Sequence, residues 1–288
     1  MVLGSTGMIG HQVVRHFAQN KKKFDVINVS YRNKLNEKTI VIDIEKDFQK
    51  LEELVGKSKP KFIINCIGVL ISESLTNQKR AEYINGEFPH LIKKICQKNK
   101  SKMIHISTDC VFSGNKGSYI EDDSPDAMTI YGKSKSLGEI IDKDNLTLRT
   151  SVIGPEIKNG GEGLLSWFLN EKNSTVKGYS KAMWSGVTSI ELPKVIERCM
   201  TNNIRGLYHV TNNEKISKYD LLKLFNKHLF LEKNIISDNT AVNDKSLIDT
   251  RQELNYVIPG YKGMIKEMFN SMVEVKEYQH YRNKIKKY

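Results

Sequence analysis

Met1-Val2-Leu3-Gly4-Ser5-Thr6-Gly7-Met8-Ile9-Gly10 runs from an apolar strand through three glycines into the start of a helix. Glycines at this spacing permit a tight turn, let the backbone approach a pyrophosphate and let the helix pack closely on the strand. The helix N-terminus then turns unpaired N–H groups and the positive end of its dipole toward phosphate. Three glycines alone make a plain structural turn. At the head of an alternating strand–helix pattern they make a dinucleotide site.

That pattern fills the first 155 residues. Apolar runs at Asp25–Val29, Phe62–Ile67, Met103–Ile106 and Leu146–Arg149 predict strands, with a shorter candidate at Thr39–Ile42. Such near-continuous β-branched runs suit strands buried on both faces. Between them, Ile9, Val13, Val14 and Phe17 share one helical face, as do Phe48, Leu51 and Val55, and again Ile84, Phe88, Leu91 and Ile95. The expected fold is α/β: a doubly wound parallel Rossmann sheet over 1–155, followed by a smaller, mixed α/β C-terminal lobe over 156–288. The first strand is short because the chain begins three residues before Gly4, which a few missing residues or another start would explain. After Gly154-Pro155 come a glycine-rich loop at 158–163 and a helical stretch from Leu164. Thr188-Ser189-Ile190-Glu191 reads as a capping box and Ser217 as a helix cap, with one more strand at Gly206–Val210. Elements of this lobe are expected to return partly to the main sheet.

The end of the second strand sorts NAD from NADP, because an acid there binds the ribose hydroxyls and repels a 2′-phosphate. Here it reads Val29-Ser30-Tyr31-Arg32, with no acid and a guanidinium suited to phosphate. NADPH is the expected cofactor, with NADH left open.

Ser107-Thr108-Asp109 ends the fourth strand, and Tyr131-Gly132-Lys133-Ser134-Lys135 opens a helix. Tyr131 and Lys135 lie four residues apart, on one helix face. An ammonium near a phenol favours phenolate, so Lys135 is expected to lower the pKa of Tyr131 and make it a proton donor to a carbonyl. Lys135 can also hold the nicotinamide ribose, and Thr108 can hydrogen-bond the same carbonyl oxygen.

These stretches resemble a family: the extended short-chain dehydrogenases/reductases, and within them the dTDP-4-dehydrorhamnose reductase (RmlD-like) branch. The resemblance is carried by G-S-T-G-M-I-G at 4–10, Asp43-Ile44, I-N-C-I-G at 64–68 and Ala81 to Asn85. S-T-D-C-V-F at 107–112, Y-G-K-S-K at 131–135 and L-R-T-S at 148–151 complete it. It implies Thr108, Tyr131 and Lys135 as the catalytic trio. It also implies cofactor contacts from Gly4, Thr6, Gly7, Met8, Ile9, Gly10, Asp43, Ile44, Cys66, Ile67 and Gly68, beside Arg32, Tyr131 and Lys135. Family members reduce the 4-keto group of a nucleotide-linked 6-deoxyhexose, so a sugar nucleotide is the implied substrate, in polysaccharide precursor synthesis. Val152 stands where the family usually has a sugar-lining tryptophan after L-R-T-S, and Cys66-Ile67-Gly68 replaces a run of alanines. Trp167 and Trp184 are candidates for the missing aromatic wall. Two other readings share the scaffold: an epimerase or dehydratase that retains NAD, and a non-catalytic NADP-binding regulatory subunit.

Composition narrows the remaining classes. The 288 residues carry 45 Lys+Arg against 33 Asp+Glu, a formal +12, spread thinly with a short cluster at Lys21–Lys23 and another from Lys276 to Tyr288. No nucleic-acid motif accompanies this charge, so solvated surface lysines and anionic small ligands are the expected reading. No run of 18 apolar residues and no secretory signal is visible, so no membrane partner is expected. Four cysteines lacking metal-ligand spacing exclude a disulfide framework and a metal site, and fit a reducing cytoplasm. A homodimer stays open. His11, His16 and His90 lack partners at readable spacing and are taken as ordinary histidines, and His209 as structural. Asp122-Asp123 is set aside as a loop pair and Cys110 as an unactivated thiol.

Overall fold

The computed structural model describes residues 1–282 and 284, so the last part of the basic C-terminal cluster lies outside the described residues. In chain order the strands are β1 (Val2–Leu3), β2 (Asn28–Ser30), β3 (Ile40–Val41), β4 (Phe62–Asn65), β5 (Lys102–Thr108) and β6 (Leu146–Thr150). They continue as β7 (Val152–Ile153), β8 (Thr175–Trp184), β9 (Val187–Thr188), β10 (Gly206–His209), β11 (Ile216–Ser217) and β12 (Asn234–Asp244). The helices are α1 (Gly10–Gln19), α2 (Phe48–Ser58), α3 (Ile71–Thr76), α4 (Gln78–Ala81), α5 (Phe88–Asn99) and α6 (Ile130–Leu137). After them come α7 (Leu164–Asn170), α8 (Glu191–Thr201), α9 (Lys218–Leu229), α10 (Tyr261–Glu274) and α11 (Gln279–Arg282).

Seven strands form one sheet in the order β10-β6-β5-β4-β1-β2-β3, every pairing parallel. Successive residues of a strand face opposite sides of the sheet, and the apolar runs supply both sides. Val2, Ile64, Ile104 and Leu146 join one core with Val13 and Phe17 of α1, Val195 of α8 and Phe225 of α9. Leu3, Ile63 and Met103 join the other with Leu51 and Val55 of α2 and Phe88 and Ile92 of α5. The doubly wound sheet is therefore the direct outcome of apolar neighbours that need cover on both faces.

β10 comes from the C-terminal part of the chain and pairs with β6, in register Gly206↔Leu146. β11, β8 and β12 make a separate three-stranded sheet, and β7 and β9 a two-stranded one. Several strand ends depart from the sequence expectation, β2 and β4 for a visible reason. β2 starts at Asn28 rather than Asp25, because β1 offers only Val2 and Leu3 as partners, opposite Asn28 and Val29. β4 stops at Asn65, whose side-chain oxygen accepts the Ile67 N–H at 3.1 Å and turns the chain out of the sheet. Ser217 caps α9, accepting the Asp220 N–H at 3.0 Å. At α8 only half the capping box forms: Thr188 accepts the Glu191 N–H at 3.2 Å, while the Glu191 carboxylate binds Tyr256 at 2.6 Å and Lys194 at 3.1 Å.

Candidate active site

The strand order reverses between β1 and β4, and the segments after these two strands meet at the C-terminal edge of the sheet, where such folds take ligands. Gly4 has φ +77°, and a Cβ there would stand 3.1 Å from the Cys66 carbonyl. A Cβ on Gly10 would come within 2.1 Å of the Gly4 carbonyl oxygen, so only glycine lets α1 start this close to β1. Gly7 is different, since a Cβ there would meet only the Gly4 oxygen, at 3.4 Å. Its open side is a cradle that a side chain would fill. The Met8 and Ile9 amides make no backbone hydrogen bond among the described residues, and the fully buried Ser5 hydroxyl has no partner there. Unpaired donors around an open glycine fit a bound pyrophosphate.

At the end of β2 the Arg32 guanidinium lies 4.4 Å from the Tyr31 ring and donates to its hydroxyl at 2.9 Å. Arg32 has no carboxylate partner among the described residues. Arg80 reaches the same ring at 5.7 Å but is bound by Glu45 at 2.8 Å and by Glu73. Asp43 accepts the Glu45 N–H at 3.1 Å beside buried Ile44. Burial pushes the Cys66 thiol up to about 12. A Cβ on Gly68 would stand 3.4 Å from Asn85 Oδ1 and 3.9 Å from Lys135 Nζ. Asn85, fully buried in a π-helical stretch at Glu82–Glu87, accepts the Val69 N–H at 2.9 Å and donates to the Val69 carbonyl and to Ser134, both at 3.1 Å.

Thr108, Tyr131 and Lys135 converge at this edge from β5 and α6. Thr129 caps α6 through the Gly132 N–H at 3.1 Å. A Cβ on Gly132 would come within 2.2 Å of the Cys110 carbonyl, so the glycine lets the first turn of α6 rest on the Thr108–Cys110 turn. The Thr108 hydroxyl donates to Asp109 at 3.0 Å and accepts the Cys110 N–H at 3.1 Å, so serving a carbonyl requires its hydrogen to turn away from Asp109. Burial raises the Asp109 carboxyl above its ordinary value, the Thr108 hydrogen bond opposing.

The electrostatics differ from the sequence expectation in one respect. Burial pushes the Tyr131 phenol above the ordinary tyrosine value, with Cys110 and Asp109 adding and the Thr108 hydroxyl opposing. Lys135 is not among the groups that move it. Its ammonium turns instead to the Ile106 carbonyl at 2.7 Å. Burial lowers Lys135 to about 8, against the pull of Glu139 and Cys66. Tyr131 is thus fully protonated at neutral pH, the form a proton donor needs.

Behind the trio lies a buried polar network that the sequence did not reveal. Glu139 takes a two-pronged ion pair from Arg149, at 2.8 and 2.7 Å, and accepts the Ser107 hydroxyl at 2.7 Å. Arg149 Nη1 lies 3.4 Å from His209 Nε2, and the His209 N–H donates to Glu121 at 3.1 Å. Glu139 lies four residues beyond Lys135, a spacing that could have marked it. Trp184 packs in the core with its indole N–H on Ser151 at 2.8 Å, and Trp167 is a half-exposed residue of α7. His16 pairs with Glu197 at 2.7 Å, a partner 181 residues away. Burial holds Cys110 up at about 12, which leaves it a thiol. A cavity of about 580 Å³ opens at the opposite, N-terminal edge of the strands, between Phe17, Phe24, Ile27 and Met200, away from all of these groups.

The fold is that of the short-chain dehydrogenases/reductases. The chain belongs to the RmlD substrate binding domain family, which matches residues 1–246. It is 29% identical to the spore coat polysaccharide biosynthesis protein SpsK of Bacillus subtilis (strain 168), over 83% of this chain and 82% of that one. It is 24% identical to methionine adenosyltransferase 2 subunit beta of Xenopus tropicalis, over 77% of this chain and 69% of that one. Among solved structures, dTDP-4-dehydrorhamnose reductase from Bacillus anthracis str. Ames, in complex with NADP, superposes with a TM-score of 0.78 at 21% identity, covering 94% of this chain and 98% of that one. No described helix is long and apolar enough to cross a membrane.

Proposed function

We propose that the protein reduces the 4-keto group of a nucleoside-diphosphate 4-keto-6-deoxyhexose with NADPH, in the synthesis of polysaccharide precursors in the cytoplasm. The convergence of Thr108, Tyr131 and Lys135 beside an open glycine turn carries this reading. Residues 1–155 would hold the dinucleotide and 156–288 shape the sugar site. The names of the reductase and polysaccharide relatives support the substrate class.

When bound, the dinucleotide supplies a hydride to the carbonyl carbon. Tyr131 gives its phenolic proton to the carbonyl oxygen, so the C=O bond becomes a secondary alcohol. Thr108 orients that oxygen once its hydrogen turns from Asp109. Lys135, held by the Ile106 carbonyl, has further N–H donors for a ribose hydroxyl. The Met8 and Ile9 amides and the Gly7 cradle would hold the pyrophosphate, and Arg32 would take a ribose phosphate.

Two outcomes follow. Arg32 is the unpaired guanidinium at the end of β2, so Arg32→Ala should raise the KM for NADPH by about 10-fold while leaving that for NADH unchanged, the size of one charge-assisted hydrogen bond. Equal change for both cofactors would remove Arg32 from the 2′-phosphate. Lys135 is charged below its pKa of about 8, so kcat/KM should fall as pH rises through about 8. Glu139→Gln removes the carboxylate that holds that value up and should move the alkaline limb to lower pH.

NADPH oxidation against a panel of 4-keto-6-deoxy sugar nucleotides tests the reading, with turnover of at least one member expected. A second reading rests on the similarity to methionine adenosyltransferase 2 subunit beta: the chain would bind the dinucleotide as a subunit of another enzyme. NADPH binding without oxidation of any panel member would favour it. Purified protein carrying stoichiometric NAD would favour an epimerase or dehydratase.

A further inference from the structure

Two buried tyrosine hydroxyls near the C-terminus act on the loops that flank the dinucleotide cleft. Tyr278 is fully buried and Tyr281 nearly so, three residues apart on the segment that follows α10. The Tyr278 hydroxyl hydrogen-bonds His11 Nε2 and Gln12 Nε2 on α1. On its other side, His11 Nδ1 lies 2.7 Å from the Gly7 carbonyl, which also accepts the His11 backbone N–H at 3.2 Å. A carbonyl has no proton to give, so Nδ1 carries the hydrogen and Nε2 is the acceptor. Burial, which lowers His11 to about 4, keeps the ring neutral. The relay therefore runs from the Gln12 amide to the Tyr278 oxygen, from the Tyr278 O–H to His11, and from His11 to Gly7.

Tyr281 works on the facing loop. Its oxygen accepts the Glu156 N–H at 3.3 Å and its hydroxyl donates to Ser166 at 2.5 Å. Ser166 donates to Glu156 Oε1 at 3.2 Å, and the same oxygen accepts the Gly163 N–H at 2.9 Å. Gly163 in turn borders the glycine turn, since a Cβ on it would stand 3.9 Å from Met8 Sδ. One short segment thus fastens both the turn and the glycine-rich loop next to it.

We propose that Tyr278 and Tyr281 are positioning residues for dinucleotide binding, a two-point clamp that holds the glycine turn and the 156–163 loop in the binding geometry. The inference rests on the dinucleotide reading above. Phenylalanine would fill the same apolar space without a hydroxyl to satisfy, yet both hydroxyls are directed at loop backbone or at side chains that grip it. A turn with three glycines is costly to order, and order imposed before the ligand arrives strengthens binding.

Titration calorimetry of NADPH and NADH on the full chain, with amide hydrogen exchange of residues 4–10, tests the clamp at a temperature well below unfolding. Tyr278→Phe should weaken NADPH binding by about 3- to 10-fold, the loss of one hydrogen bond, and speed exchange across 4–10 while α5 and β5 keep wild-type protection. Tyr281→Phe should weaken binding similarly and speed exchange at 156–166. Wild-type affinity and wild-type exchange at 4–10 in Tyr278→Phe, even with a lowered unfolding midpoint, would overturn the proposal and leave Tyr278 a packing residue. Should Tyr278→Phe fail to fold, the same comparison on Tyr281→Phe decides. Wild-type protein that binds neither dinucleotide overturns the dinucleotide reading itself and the clamp with it.

Discussion

Tyr131→Phe is expected to lower kcat by about 10²- to 10⁴-fold, the usual weight of a positioned general acid, while NADPH binding stays within about 2-fold of wild type, a change smaller than one hydrogen bond. Tyr131 opens α6 beside Thr108, burial keeps its phenol protonated, and the substitution removes only the oxygen. The ring still fills its place, so the glycine turn and Arg32 keep their geometry. Steady-state kinetics paired with calorimetric binding separate the two effects. Turnover near the wild-type rate would take the proton-donor role from Tyr131, and Asp109, buried next to Thr108 with its carboxyl raised, would be the next group to examine.

The second large effect is on stability. Arg149→Met should destabilise the fold by about 3–5 kcal/mol, the cost of leaving one charge of a buried pair without its partner. The Arg149 and Glu139 side chains are 2% and 3% exposed, and their pairing is two-pronged, so no water can take the place of the guanidinium. Combining Arg149→Met with Glu139→Gln should recover a large share of the loss, because the orphaned carboxylate is then neutral. Urea denaturation of the two single variants and the double variant measures this. A single-variant loss below about 1 kcal/mol would mean that the pair is solvated like a surface bridge. The double variant would also lack the charge that holds the Lys135 pKa up, so its alkaline limb should lie at lower pH even where its stability has returned.

What the sequence reveals depends on how far apart the interacting groups lie along the chain. The glycine turn, the alternation of strands and helices and the Ser217 cap are local patterns, and the structure reproduces them. The glycine turn is legible because each glycine answers a separate steric demand within seven residues: Gly4 the positive φ, Gly7 the open side, Gly10 the close approach. The trio of Thr108, Tyr131 and Lys135 is likewise brought to one edge by strand and helix ends that periodicity marks.

The rest depends on tertiary direction. Whether the Lys135 ammonium faces a phenol or the Ile106 carbonyl is decided by where β5 runs beneath α6, which the i, i+4 spacing does not encode. Arg149 stands out only as part of an L-R-T-S string, since its partner sits ten residues earlier on the other side of a turn. His11 reads as an ordinary histidine because the tyrosine that buries it lies 267 residues away. The late start of β2 follows from the shortness of β1, a matter of pairing rather than of propensity.

In the proposed reaction the cleft brings a dinucleotide and a keto sugar together so that hydride reaches the carbonyl carbon while Tyr131 protonates the oxygen. NADPH deuterated at the transferable position of its nicotinamide C4, incubated with the purified protein and a nucleoside-diphosphate 4-keto-6-deoxyhexose, tests it most directly. One deuterium is expected at C4 of the product sugar for each NADPH oxidised, seen by mass spectrometry and NMR, with almost no labelled product formed by Tyr131→Phe in the same time. An unlabelled product, or a sugar returned unreduced while bound nicotinamide is regenerated, would contradict it.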